Sequence, residues 1–399
     1  MELREISVEE LQFGMYVAKL DRPWTETPFV FQGFVLKSEK QLATLKKYCS
    51  RVFVDPEKED LSEVGVSSSA TPTKIRGDTV YKDLASVEAE LPRARAAFTE
   101  TTAVVKQLSR AVEIGNAIDS SRAQEAATQI TDSVVRNADA LTLLVRMQEK
   151  SGEALSRAVE ISVMMAIFGR FLQLPRERLD HLGMLGLLQD VGKLKLPGAL
   201  LVKREPFNAE ELELYRTHVT HSVEILSSTT GLPAELSAHA SLHHERYDGT
   251  GYPRGLRGEA IGLIGMIAGI VDAYDVLTAP PPFGEHLSPS NALSAIHKGR
   301  GKQFHPALVE QFVQCLGVFP VGSVVELNSG EIAVVTAQNP LRRLQPRIMV
   351  VKDASGNPMT PYKMLDLFKE PKVRPGEPYR ILRTLEYDAV KIDPREFFL

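Results

Sequence analysis

The stretch HHERYDGTGYPRGL, residues 243–256, decides how this chain is read. Two adjacent histidines stand ahead of a loop containing three glycines and a proline. Those residue types shape a rigid turn just beyond two imidazoles whose ring nitrogens can hold a metal. His218, His221 and His239 lie shortly before, so five of the nine histidines crowd one short stretch. A lone histidine on a helix is usually a core or surface residue. An adjacent pair running into a shaped loop points to a site.

Outward from this stretch the pattern is helical. LGLLQDVGKLKLP, residues 185–197, reads as a helix end carrying an acid, a glycine and a lysine into a turn. A helix is expected after the acid-rich NAEELELYRTH (208–218), and a further one spans LPAELSAHASLHHE (232–245). GLIGMIAGIVDAYDVL (262–277) is apolar nearly all round, which predicts a central buried helix. Residues 306–316 close the block, and residues 80–173 open it, with Val104, Leu108, Ala111 and Val112 spaced for one buried face.

The flanks differ. FGMYVAKLDRPW (13–24) and FVFQGFVLKSEKQLATLKKYCSRVFVDPE (29–57) alternate short β-rich runs with a helix near residues 39–48 and a last strand at RVFVD. They make a small N-terminal α+β module over residues 1–57. Residues 58–79 are rich in Ser, Thr and Gly without apolar period and form a linker. In GSVVELNSGEIAVVTAQN (322–339), two β-branched runs flank Asn328-Ser329-Gly330, a hairpin signal, and RIMVVKDASGNPMTPYKMLDL (347–367) repeats the pattern. Residues 317–399 are therefore a small β appendage, and residues 80–316 a helical domain with leading helices. The expected class is mainly α.

With 399 residues there is room for two or three domains. A hydrophobic share of 43% and a charged share of 25% exclude disordered and fibrous classes. The net charge of −4 gives no global attraction to DNA or anionic membrane, so an anionic ligand needs a local pocket. Cys49 and Cys315 form no metal or disulfide pattern. The opening MELREISVEELQF lacks the basic-then-apolar order of a secretory signal. The longest apolar run is interrupted by Asp272 and Asp275 and is short of the roughly 20 residues of a membrane span. A cytoplasmic protein without a membrane span is expected.

In order, QDVGKLKLP, HVTHSVEIL, HHERYDGTGYPRGL and DAYDVLT resemble the HD-GYP family, a branch of the HD metal phosphohydrolases that cleave cyclic di-GMP. The resemblance covers residues 130–316 and implies an HD-type helical bundle with two or three iron or manganese ions among His and Asp side chains. Carried onto this chain, it implies a complete second metal position at Asp190, His218, His243 and His244. The first position keeps Asp272, but its two histidines are replaced by Gln189 and Arg157. Glu153 matches a third-site carboxylate, and Asp190 and Lys193 the catalytic pair. His221 and His239 are additional candidates to join or replace ligands.

Gln189 offers at most a weak carbonyl oxygen, and Arg157 offers no lone pair and stays cationic. At about 4 Å and an effective dielectric near 20, its charge against a dication costs roughly 8 kcal/mol, enough to cancel a moderate metal affinity. Arg157 is therefore expected to fill the first-metal position itself and neutralise Asp190 or Asp272, with a solvated Glu153–Arg157 pair as the alternative. The resemblance also implies two phosphate-gripping cations after the apolar helix, where this chain has Pro281 and Gly284. Gly251, Tyr252 and Pro253 match a loop associated in the family with diguanylate cyclase domains.

Four departures in one site, all in the direction of losing chemistry, suggest a degenerate phosphodiesterase that signals by binding cyclic di-GMP or a cyclase domain. Its cofactor would be at most one iron or manganese ion, at the second position. The alternative is an active or weakly active enzyme using that surviving position. Homodimerisation through the helices before residue 150 is a further expectation.

Overall fold

The computed structural model describes residues 3–12, 15–22, 27, 34–36, 39–55, 75–147, 154–203, 205–279, 287–339, 342 and 344–385. The chain is mainly α and divides into two units, residues 1–72 with 339–344, and residues 73–338 with 345–399.

The first unit contains β1 (Arg4–Ser7), β2 (Tyr16–Leu20), β3 (Phe34–Val35), α1 (Glu39–Tyr48) and β4 (Arg51–Val54). The strands form one antiparallel sheet in the order β1-β4-β2-β3. In β4 the period of two is plain, since Val52 and Val54 are buried while Arg51 is exposed. They meet Val17, Leu20, Leu36 and, from α1, Leu45 in one apolar core.

The second unit opens with α2 (Val87–Glu113), α3 (Ser120–Arg136), α4 (Ala138–Met147), α5 (Ala154–Phe171) and α6 (Arg176–Leu188). Ser86 caps α2 by accepting from the Ala89 amide, and Val104, Leu108 and Val112 turn inward as their spacing requires. A buried acid also joins two helices: Glu90 of α2 accepts from Arg136 and Ser133 of α3 at 2.8 Å. After these come α7 (Gly198–Leu201), α8 (Ala209–Arg216), α9 (His218–Ser228), α10 (Ala234–Ala240), α11 (Gly262–Thr278), α12 (Pro289–Lys298) and α13 (Pro306–Leu316).

Two expectations change in detail. The acid-rich segment before His218 is itself a helix, α8, because Asn208 and Glu211 form a capping box at its start. Conversely, α10 stops at Ala240 and residues 241–244 form turns. Ser241 Oγ and His243 Nδ1 bond the carbonyls of Ala238 and Ala240 at 2.7 Å, in competition with a continuing helix. The central helix is as expected: Ile267, Ala268, Ile270 and Val271 of α11 are at most 1% exposed, each large aliphatic contributing about 1.5–3 kcal/mol by burial. Gly258–Thr278 has the composition of a membrane span, yet 67% of its apolar window is buried inside the protein.

The same unit ends in β5 (Val324–Leu327), β6 (Ile332–Ala337), β7 (Arg347–Lys352), β8 (Pro358–Asp366), β9 (Lys372–Arg374), β10 (Glu377–Pro378) and β11 (Ile381–Leu385). Five strands make an antiparallel sheet in the order β11-β5-β6-β7-β8, with the β5–β6 and β7–β8 pairs where the turn residues put them. Its two faces bury different sets, Val325, Val335 and Ile348 on one and Val324, Val334 and Met349 on the other. The Gln338 amide donates to Asp139 Oδ2 of α4 at 3.0 Å, and Arg347 pairs with Glu88 of α2 at 3.0 Å. The β appendage is thus fastened to the helices that precede the site.

Candidate metal centre

Asp190 sits in the turn after α6, where Gln189 is the last helical cap, and a short 3-10 helix, Val191–Lys195, follows it. Gly192 lies in that short helix. A Cβ there would fall 2.0 Å from the His218 carbonyl and 2.4 Å from the Ser222 amide, so only glycine lets α9 approach this closely. His218, the first residue of α9, is thereby brought to Asp190. The turns after α10 deliver His243 and His244 to the same place.

Ligand-capable atoms of Asp190, His218, His243 and His244 all lie within 4.8 Å of one another, and the three imidazoles are buried. Backbone acceptors fix two rings: His218 Nδ1 donates to the Tyr215 carbonyl at 2.6 Å and His243 Nδ1 to the Ala240 carbonyl at 2.7 Å. Both Nε2 atoms then carry lone pairs, and both face Asp190 Oδ1 at 3.4 Å. His244 Nε2 adds a contact of 3.2 Å to His218 Nε2. His244 either donates its Nε2 proton to His218 or, with its Nδ1 proton toward Asp272, supplies a third lone pair. Asp190 Oδ1 and His243 Nε2 are buried without a hydrogen-bond partner among the described residues, each at a cost of about 1–3 kcal/mol. Acceptors that converge in this way fit a cation, and three nitrogens with one oxygen suit a divalent transition metal.

The electrostatics agree. Burial alone would raise the Asp190 carboxyl, but the Lys193 charge at 2.7 Å, the largest opposing effect, holds it well below the usual range. Burial pushes His218 down and His244 well down, so these rings stay neutral and able to ligate. Burial and the Asp190 charge raise Asp272.

Several expected residues stand elsewhere. Asp272 is not in the compact set; its Oδ2 faces His244 Nδ1 at 3.5 Å from behind. Lys193 does not reach out toward a ligand; its Nζ holds Asp190 Oδ2 at 2.7 Å. The close ion-pair partner of Arg157 is Asp275, while the expected Asp190 and Asp272 act on it through their charges. Arg157 Nε and Nη2 lie 2.7 and 2.6 Å from Asp275 Oδ2, one turn further along α11. Although burial opposes it, the Asp275, Asp190 and Asp272 charges keep Arg157 firmly protonated. Gln189 is fully buried, and neither amide atom has a hydrogen-bond partner among the described residues. Glu153, Pro281 and Gly284 lie outside the described residues.

Of the additional histidines, His221 faces Glu224 at 3.4 Å, and His239 Nδ1 bonds His181 Nε2 at 2.8 Å; neither belongs to the compact set.

Tyr252 closes the site from the loop side, its ring stacked on His244 with centroids 4.7 Å apart. Gly251 makes this possible, because a Cβ there would meet the Arg246 amide at 2.3 Å. Buried Glu245 holds the far side of the loop by accepting from the Arg254 and Leu256 amides at 2.8 Å each. Glu245 and Asp275 lie inside the motifs HHERYDGTGYPRGL and DAYDVLT, at positions to which the family resemblance assigns no ligand. The i, i+3 spacing of Asp272 and Asp275 on an apolar helix was the available signal for the latter.

Residues 138–308 match the HD domain family, residues 3–123 a domain of unknown function, DUF3391, and residues 324–374 a KOW domain associated with HD domains. The chain is 30% identical over 371 residues to cyclic di-GMP phosphodiesterase PA4108 of Pseudomonas aeruginosa, covering 92% of this chain and 89% of that protein. It is 31% identical over 181 residues to the cyclic di-GMP phosphodiesterase response regulator RpfG of Xanthomonas campestris, covering 45% of this chain and 48% of that one. Among solved structures, Bd1817, an HDG"Y"P protein from Bdellovibrio bacteriovorus, aligns with a TM-score of 0.48 at 14% identity, covering 78% of this chain and 98% of its own. With its HD domain, its ordered His and Asp motifs and a relative aligned over nearly its whole length, the chain belongs to the HD-GYP family.

Proposed function

We propose that this protein is a degenerate HD-GYP phosphodiesterase that binds cyclic di-GMP, hydrolyses it slowly or not at all, and acts in cytoplasmic signalling through that ligand or a cyclase domain. One iron or manganese ion, at most, is held by Asp190, His218, His243 and His244. Such an ion, when bound, supplies Lewis acidity toward a phosphodiester oxygen.

The observation that carries this reading is the buried Arg157–Asp275 ion pair at 2.6 Å. Arg157 stands at the position where the family has an early histidine ligand, and its cation is fastened there by a carboxylate rather than turned to solvent. A dinuclear centre would have to form against that fixed charge. Lys193 holds the Asp190 carboxylate and its charge favours an approaching phosphate, while Tyr252 keeps water from the outer face of His244. Positions 281 and 284 add no cation.

A second reading, weak hydrolysis at this single position, is favoured by the completeness of the four-residue set. Counting iron and manganese per chain, titrating cyclic di-GMP and following pGpG and GMP separates the two. Binding with one ion or none and negligible product supports the first reading. Two ions per chain with rapid turnover would reject it.

A further inference from the structure

Tyr252 has a second partner besides His244. The guanidinium carbon of Arg216 lies 5.0 Å from the centroid of the same ring. Arg216 is the last residue of α8, adjacent to Tyr215, whose carbonyl orients His218. One cation is therefore tied through its backbone to one candidate ligand and through its side chain to the ring that covers another.

The guanidinium is only partly engaged. Nη1 holds Glu213 Oε1 at 2.7 Å, but Nε is buried without a hydrogen-bond partner among the described residues. The Arg216 side chain is 40% exposed and that of Glu213 71%, so their ion pair is a weak surface contact. A guanidinium lying over an aromatic ring is held in place, and with Nε buried it is the terminal N–H groups that remain for an anion, donors that suit phosphate oxygens. A cyclic dinucleotide carries two phosphodiesters. The four-residue cluster meets one, and Arg216 lies within two ring-stacking distances of that cluster.

We infer that Arg216, stacked on Tyr252, contacts the second phosphate of a bound cyclic dinucleotide, the task for which positions 281 and 284 supply no cation. This rests on the cyclic di-GMP reading above.

The test is a titration of cyclic di-GMP against the full chain, with and without added manganese, for the unaltered protein, Arg216→Gln and Glu213→Gln. Arg216→Gln is expected to weaken binding about tenfold or more. Glu213→Gln, which frees Nη1, is expected to bind at least as tightly as the unaltered chain. If Arg216→Gln binds within about twofold of the unaltered chain, this inference is overturned and the cyclic di-GMP reading stands. If the unaltered chain does not bind at all, that reading falls and the role of Arg216 falls with it. Manganese counts for both variants should match the unaltered protein; loss of the ion from Arg216→Gln would assign the residue to building the cluster and overturn the inference.

Discussion

The Gly192 amide donates to Ser222 Oγ at 2.8 Å, and this one buried hydrogen bond clamps the turn bearing Asp190 to the helix bearing His218. Ser222→Ala leaves that amide without a partner and is expected to cost about 1–3 kcal/mol of stability. Because the clamp sets a ligand-to-ligand spacing, metal affinity should drop about 10- to 100-fold as well. Gly192→Ala should do more damage, since the new methyl collides with backbone rather than with a movable side chain. Urea denaturation and manganese titration of both variants check the order. Equal metal affinity in Ser222→Ala and the unaltered protein would dismiss the clamp.

Arg157 and Asp275 are 15% and 8% exposed, so neither tolerates loss of the other. Asp275→Leu is expected to destabilise the protein, by up to about 3–5 kcal/mol, because it removes the carboxylate in direct contact with a largely buried cation. The double variant Arg157→Met with Asp275→Leu should recover most of that loss, apolar replacements of buried pairs being often neutral or better. Urea midpoints of the single and double variants decide. A double variant as unstable as Asp275→Leu alone would show that the pair is not the source of the cost.

On the proposed reading, placing imidazoles at 157 and 189 should raise the number of ions per chain more than it raises pGpG formation, since positions 281 and 284 still carry no cation. Metal analysis and product chromatography on Arg157→His with Gln189→His provide the comparison. Proportional recovery of both quantities would contradict it. Gln189→Leu makes a separate point. It removes two buried amide atoms that lack partners among the described residues and should stabilise the protein by about 1–2 kcal/mol without changing its metal content.

Acid should loosen the contact between α6 and α10. Burial, with the His239 and Arg178 charges, pushes His181 down to about 4 from its ordinary 6.5, against a smaller opposing effect of Glu235. Burial pushes His239 down too. Between those values the unfolded chain binds the proton and the folded one does not. Stability is therefore full above about pH 6.5 and declines as pH falls toward about 4, by roughly 1–3 kcal/mol for this pair after allowance for its partial exposure. Urea midpoints at about pH 7.5 and pH 5 for the unaltered protein and His181→Phe measure it. The variant should show the smaller decline.

Much of the fold was legible because its signals are local. The turn residues at 328–330 announce the β5–β6 hairpin, and the all-round apolar character of α11 announces its burial. The end of α10 was not legible, because side-chain bonds from Ser241 and His243 compete with helix propensity there. In the site, Asp190, His218, His243 and His244 could be gathered only through the resemblance to the HD-GYP family, since the histidine crowding alone does not select among five imidazoles or add the acid. The partner of Arg157 could not. Asp190, Asp272 and Asp275 are all acids on the buried side, and only three-dimensional packing chooses among them.

Three imidazoles and a carboxylate, with no thiolate among them, form a donor set with little power to discriminate by affinity. For such ligands the Irving–Williams order ranks zinc and copper above iron and manganese. An ion bound by these four residues would then be selected by metal availability in the cell rather than by affinity, and its identity in a preparation is expected to follow the growth medium.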